Sequence, residues 1–218
     1  IAVRPMSDAE VHVLRARLWR VMPKGRVPNA RDLVKREVAE ALARDPRGVD
    51  ALLWQIRTTE SPDERLKLAR ELTALHPDRS EGWRMLTLAL YGSSELSTER
   101  HAAAIMAVQL APDDPDALNE LAWEYHLTGM PRTGLPLAQQ AARLAPWSPP
   151  ILDTWAALLS DVGSCAAAAL VQKRAVDMLR EGAPAKSRAR YEAALARYES
   201  GCKREDAAPS ATSSGASP

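Results

Sequence analysis

Apolar residues recur along the chain at helical spacing rather than at the two-residue spacing of strands. Val49, Leu52, Leu53 and Ile56 fall on one face of a helix, and Leu118, Leu121, Ala122 and Tyr125 repeat that arrangement further along. Trp83, Leu86, Thr87 and Leu90 stand between these two sets, and Leu152, Trp155, Ala156 and Leu159 follow them. A second group alternates with the first: Leu68, Leu72 and Leu75; Ala103, Ala107 and Leu110; Ala138, Ala141 and Leu144; Ala168, Ala175 and Met178. The small Ala faces let neighbouring helices approach closely, so these second helices are expected to form interlocking seams.

The same helix-ending phrase closes successive units, in "ALARDP" (Pro46), "LTALHP" (Pro77), "VQLAPDDP" (Pro112) and "ARLAP" (Pro146), at separations of 31, 35 and 34 residues. Proline is disfavoured inside a helix but common just past its end, so each phrase closes one helix and admits the next. Turn segments sit midway through each unit, with Gly92, Gly129 and Gly163 placed where a helix can end in the left-handed conformation. The unit is a helix pair. Ser7 and Glu10 have capping-box spacing ahead of Val11, Leu14 and Leu18, so an opening helix starts there. "MPKGRVPN" breaks it, and Asn29 is expected to cap a second helix through Val34, Val38, Ala41 and Leu42. From Pro184 to about Ser200 the sequence reads as an unpaired helix with Arg and Glu on its outer side, the polar cover a stack needs at its end.

The segment from Leu118 to Pro146 resembles a tetratricopeptide repeat (TPR), with Leu118, Leu121, Ala122, Tyr125, Gly134, Ala138 and Pro146 at the family's pattern positions. Leu152, Trp155, Ala156, Leu159, Ala168 and Gln172 repeat it in the next unit, and Trp83 supplies the family's leading Trp. Departures are greater at Thr87, in the 31-residue unit ending at Pro77 and in the long first loop. The resemblance extends over about residues 7–181 and implies an all-α, right-handed superhelical solenoid of helix-turn-helix repeats with a C-terminal capping helix. The chain is accordingly expected to comprise a degenerate opening pair (1–46), three to four repeats (47–183) and a capping helix (184–202), with residues 203–218, which show no apolar period, as a disordered tail.

Composition narrows the function. Basic and acidic residues number 29 and 28, so the whole chain offers no strongly charged surface to nucleic acid or membrane, and no nucleic-acid partner is expected. Arg20, Lys24, Arg26, Arg31, Lys35 and Arg36 cluster near the first loop, where a solvated helix face is the simpler reading. His12, His76, His101 and His126 lack a His or Cys companion three or four residues away, so no metal site is expected. No phosphate-cradling glycine loop or nucleophile elbow occurs, and the acidic pairs Asp63-Glu64 and Asp113-Asp114 fall at helix starts, where carboxylates offset the helix dipole. Neither an enzyme activity nor a cofactor is expected.

In TPR proteins the first helix of each pair lines a concave surface that receives a peptide or partner helix. On this chain the corresponding stripe carries Asp50, Trp54 and Arg57; Arg84, Leu88 and Tyr91; Asn119, Trp123 and His126; and Asp153, Ala157 and Ser160. Trp54, Arg57, Arg84, Tyr91, Asn119, Trp123 and His126 are therefore candidate partner-binding residues, the two Trp as anchors. Packing between adjacent pairs is the competing role for Trp54 and Trp123. The Lys/Asn carboxylate clamp of some co-chaperone TPRs is not reproduced, because Asp50 and Asp153 stand where its donors belong. The expected function is a non-catalytic protein-interaction scaffold; the alternatives are the soluble regulatory appendage of a larger membrane-anchored enzyme, such as a glycan ligase or transferase, and a self-associating adaptor.

Two cysteines, Cys165 and Cys202, come to the same end of a helix stack, where a disulfide could hold the terminal helix down; two unrelated thiols are the alternative. A bridge would require an oxidising compartment. The chain starts at Ile1 rather than Met, and "IAVRP" suits the trailing edge of an upstream anchor or a simple boundary. The sequence leans towards a periplasmic or membrane-tethered domain and leaves oligomeric state and partner identity open.

Overall fold

The computed structural model describes residues 5–22, 29–179 and 183–207, with the side chains of 202–207 excepted. Among these residues there are eleven α-helices and no strand. The chain divides into two compact units, residues 1–112 and 113–218.

The first unit contains α1 (Asp8–Val21), α2 (Ala30–Arg44), α3 (Val49–Thr58), α4 (Pro62–Leu75), α5 (Ser80–Ala89) and α6 (Ser97–Leu110). Consecutive helices pack as antiparallel pairs, α1 with α2, α3 with α4 and α5 with α6, and the first helices α1, α3 and α5 also adjoin in series. Ser7 caps α1 as expected: its Oγ accepts the Glu10 N–H at 3.3 Å, and Glu10 Oε2 accepts the Ser7 N–H at 2.6 Å. Asn29 departs from expectation. It holds the N-cap position of α2 with φ of 59°, and its side chain makes no capping bond, so it serves by entering the left-handed region that Asn tolerates better than most residues. The preceding break at 23–28 lies outside the described residues. The core of the unit joins Leu52, Leu53 and Ile56 of α3 to Leu68 and Leu72 of α4 and to Met85 and Leu86 of α5. Thr87, the poorest fit to the repeat, is fully buried and donates its hydroxyl to the Trp83 carbonyl at 3.0 Å, so the polar group is satisfied within its own helix.

The second unit contains α7 (Pro115–Leu127), α8 (Pro131–Leu144), α9 (Pro149–Asp161), α10 (Cys165–Asp177) and α11 (Ala185–Ala207). Pro115, Pro131 and Pro149 stand at the starts of α7, α8 and α9, where the missing N–H costs nothing. The α7 and α9 ends are built alike. Gly129 (φ 70°) and Gly163 (φ 83°) turn the chain, while Met130 N–H bonds to the Tyr125 carbonyl and Ser164 N–H to the Leu159 carbonyl, each at 2.8 Å. This is the Schellman arrangement, which satisfies carbonyls the helix leaves open. Leu118, Leu121 and Ala122 of α7 and Leu152, Ala156 and Leu159 of α9 are all buried, as the periodicity requires. Gly134 marks the tightest approach: a Cβ built there would lie 2.8 Å from Tyr125 Cβ and 3.0 Å from the Ala122 carbonyl oxygen.

Two sequence expectations change. Leu110, Leu144 and Met178, assigned to second-helix seams, are exposed because each stands at the very end of its helix, beyond the packed span. Residues 203–207, expected to begin a disordered tail, continue α11 to Ala207; the rest of that tail, 208–218, lies outside the described residues.

Candidate functional site

Four of the stripe residues of the second unit come together. Trp123 and His126 of α7 and Asp153 and Ala157 of α9 line a trough of about 370 Å³ whose other wall is α11, through Arg190, Ala193, Ala194, Arg197 and Tyr198. Three positions separate Trp123 from His126 and four separate Asp153 from Ala157, so each pair emerges on one face of its helix. The Trp123 and His126 rings lie with centroids 4.5 Å apart, and His126 Nδ1 is 2.5 Å from Asp161 Oδ2, which fixes the imidazole orientation.

What places α11 here is a polar and aromatic lock. Tyr191 and Tyr198, seven residues apart on one helix face, are both only 4% exposed. The fully buried Gln172 of α10 donates through Nε2 to Asp153 Oδ1 at 2.8 Å and to the Tyr191 carbonyl at 3.2 Å. Arg190 Nη2 donates to the other oxygen of Asp153 at 3.4 Å, so one carboxylate joins α9, α10 and α11. Each Tyr is overlain by the Arg that precedes it, Arg190 at 4.9 Å and Arg197 at 5.1 Å from the ring centre. Burial pushes both phenols above their ordinary pKa. Arg190 and Arg197 are exposed, in keeping with a polar outer side of α11, and they also border the trough, which the sequence did not indicate. The sequence signal that would have found them is the Arg-Tyr pair repeated seven residues apart.

Asn119 is half-buried, with its side-chain oxygen buried and without a hydrogen-bond partner, and it is not among the residues lining the trough. In the first unit, Trp54 is half-buried against two clusters, one with Val13, Ala41 and Ala51 and one with Ala16, Val34 and Val38. The Arg57 guanidinium lies 5.8 Å from the Trp54 ring centre. Asp50 accepts from Arg17 at 2.8 Å. On α5, Arg84 is half-buried and Leu88 exposed; Tyr91, just beyond the helix, is half-buried under the Arg100 guanidinium at 5.3 Å. Within the basic cluster, Arg31 and Lys35 pair with Glu60 at 3.0 and 3.1 Å, which makes that face partly self-neutralised.

Cys165 starts α10, buried and disulfide-bonded. A Cβ built on Gly201 of α11 would lie 4.0 Å from Cys165 Cβ, so these two helix segments are neighbours. The other cysteine of the expected pair, Cys202, has its side chain outside the described residues. No group of three or more His, Cys, Asp or Glu able to hold a metal occurs among the described residues. No described helix is long and apolar enough to cross a membrane.

No protein-family model matches the sequence, and no curated protein does. Solved structures do resemble the fold. A thermophilic TPR protein of Thermus thermophilus, TTC0263, superposes with a TM-score of 0.66 at 20% identity, over 86% of this chain and 99% of its own. A structure of MamA protein matches with a TM-score of 0.54 at 18% identity, over 78% of this chain and 91% of its own. The APC/C hetero-tetramer Cut9-Hcn1 matches with a TM-score of 0.68 at 12% identity; the likeness covers 91% of this chain but 40% of that one. At these identities the likeness is one of fold. Repeated helix pairs, their glycine turns and these superpositions together give this chain the tetratricopeptide-repeat fold.

Proposed function

We propose that this protein is a non-catalytic interaction module that docks a peptide segment or partner helix on the face formed by its first helices. The observation that carries the reading is the trough of the second unit, where Trp123, His126, Asp153 and Ala157 meet the terminal helix around about 370 Å³ of open space. A half-buried Trp beside small Ala walls offers large contact area at low ordering cost, the property that makes Trp an interface anchor. The match to Cut9-Hcn1, a hetero-tetramer by its own description, supports use of the fold in protein assembly. Arg57, Arg84 and Tyr91 extend the candidate surface of the first unit, with Trp54 supporting it from beneath; Asn119 adds a polar group on α7. The same reading takes Cys202 as the partner of Cys165, a covalent tie that keeps α11 in place as the trough wall and suits an oxidising compartment.

The test is affinity capture from the source cell, comparing the intact chain with Trp123→Ala and with Leu170→Ser. Leu170 is 72% exposed on α10 and does not line the trough, so it controls for general loss of apolar surface. Expected is a partner retained by the intact chain and by Leu170→Ser and lost by Trp123→Ala at unchanged helicity. Retention by all three would move the binding surface away from the trough.

A further inference from the structure

The polar groups of the trough are not balanced. Its carboxylate, Asp153, is engaged at both oxygens, by Gln172 at 2.8 Å and by Arg190 at 3.4 Å. Asp161 lies outside the trough lining, in hydrogen-bond contact with the His126 imidazole. On the donor side, Arg197 reaches the Tyr198 phenol oxygen at 3.3 Å and lies over its ring, and it meets no carboxylate among the described residues. A guanidinium carries five N–H donors and no acceptor, so most of the hydrogen-bonding capacity of Arg197 is turned to whatever enters the trough. Arg190 and Asp153 offset each other in charge. Among the side chains that line the trough, Arg197 is the charge left over.

Chemistry on the opposite wall is different. The Trp123 indole, stacked with His126, offers an apolar surface, and Ala157 and Ala194 keep the space between the walls clear of bulk. The volume suits a few side chains of an extended segment and is too small for a globular surface. Resting on the docking role above, we propose that the trough selects an extended peptide bearing an acidic residue, its carboxylate held by Arg197 while a neighbouring apolar side chain covers Trp123. A guanidinium is suited to this because its planar fork matches a carboxylate. A dianionic phosphate is the poorer ligand, since Arg190 is already committed to Asp153 and Arg197 alone supplies a single positive charge.

The experiment uses the full chain and a positional-scanning library of labelled, N-acetylated and C-amidated hexapeptides, in which one position at a time is fixed and blocked ends remove terminal charges. The expected result is at least tenfold tighter binding of pools fixed as Asp or Glu than of those fixed as Asn or Gln. Arg197→Gln, at an exposed position, should erase that preference while binding of the amide pools and amide-exchange protection of α11 are kept, and Trp123→Ala should weaken every pool. Equal binding of acidic and amide pools, an acidic preference that survives Arg197→Gln, or stronger binding of pools fixed as phosphoserine would overturn the acidic-peptide assignment and leave the docking face intact. If no pool binds above the Trp123→Ala background, both the assignment and the peptide-docking role of the trough fall.

Discussion

Gly134 and Gly82 are both buried helical glycines, yet the same substitution should move them in opposite directions. Replacing Gly by Ala inside a helix ordinarily stabilises by about 0.8–1 kcal/mol, because the unfolded chain loses freedom. At Gly82 the new methyl would meet Leu72 Cγ at 3.4 Å and two further carbons at 3.6 Å, which is ordinary contact. Gly82→Ala should therefore stabilise, by about 0.5–1 kcal/mol given its place in the first turn of α5. At Gly134 the methyl would stand 2.8 Å from Tyr125 Cβ, 3.0 Å from the Ala122 carbonyl oxygen and 3.1 Å from Leu158 Cδ2. The first two belong to the α7 backbone or to a side-chain atom fixed by it, so neither can rotate away, and α8 must withdraw from α7. Overpacking of this kind costs about 1–3 kcal/mol. Less the helix-propensity gain, and with the looser packing of Ala138 and Ala141 added, Gly134→Ala should destabilise by about 1–2 kcal/mol. Urea unfolding followed by circular dichroism at 222 nm measures both variants, with the slope checked so that a change in midpoint reports a change in stability. Stabilisation by both substitutions would refute the close α7–α8 approach.

The terminal-helix lock makes further expectations. Tyr198→Ala removes a nearly buried aromatic anchor and should destabilise the docking of α11 by about 3–5 kcal/mol, seen as early amide exchange across α11 while α7 to α10 stay protected. Both buried phenols titrate above their ordinary 10.0, so their contribution is full below pH 10 and is lost as pH rises through the higher folded values. Absorbance near 295 nm, with single Tyr191→Phe and Tyr198→Phe variants to assign the signals, should accordingly show these two phenols ionising above 10.0 together with release of α11; ionisation of both at or below 10.0 would contradict the burial. For the cysteines, peptide mapping without reduction should recover Cys165 joined to Cys202, and reduction should lower stability by about 4 kcal/mol on the loop-entropy estimate. Recovery of two alkylated free thiols from the unreduced protein would count against the tie.

Much of the fold is legible because its information is periodic. The phrases ending at Pro46, Pro77, Pro112 and Pro146 mark the true helix boundaries, since α2, α4, α6 and α8 end just before them and α3, α5, α7 and α9 start just after. Ser7 and Glu10 specify their cap locally, and so do the glycines that end α7 and α9. Asn29 misleads because the left-handed conformation and a side-chain cap favour the same residue, and sequence does not say which is used. The trough beside α11 is hidden from the sequence for a different reason. A helix at the end of an array looks polar on whichever side it exposes, and only the Tyr191–Tyr198 spacing, combined with the buried Gln172 and Asp153 on other helices, decides which side turns inward. Trp54 and Trp123 hold equivalent places in the repeat, but their surroundings differ. The first packs on clusters from α1 and α2, and the second borders open space.

Photocrosslinking in the source cell shows whether the trough of the second unit is the docking face. A photoreactive benzoylphenylalanine placed at Ala193, exposed in the α11 wall of the trough, should join the chain to a partner polypeptide, and the same group at the exposed Leu170 should not. The Ala193 adduct should disappear when Trp123→Ala is added. Crosslinks that form from Leu170 and not from Ala193, or that persist without Trp123, would contradict the account.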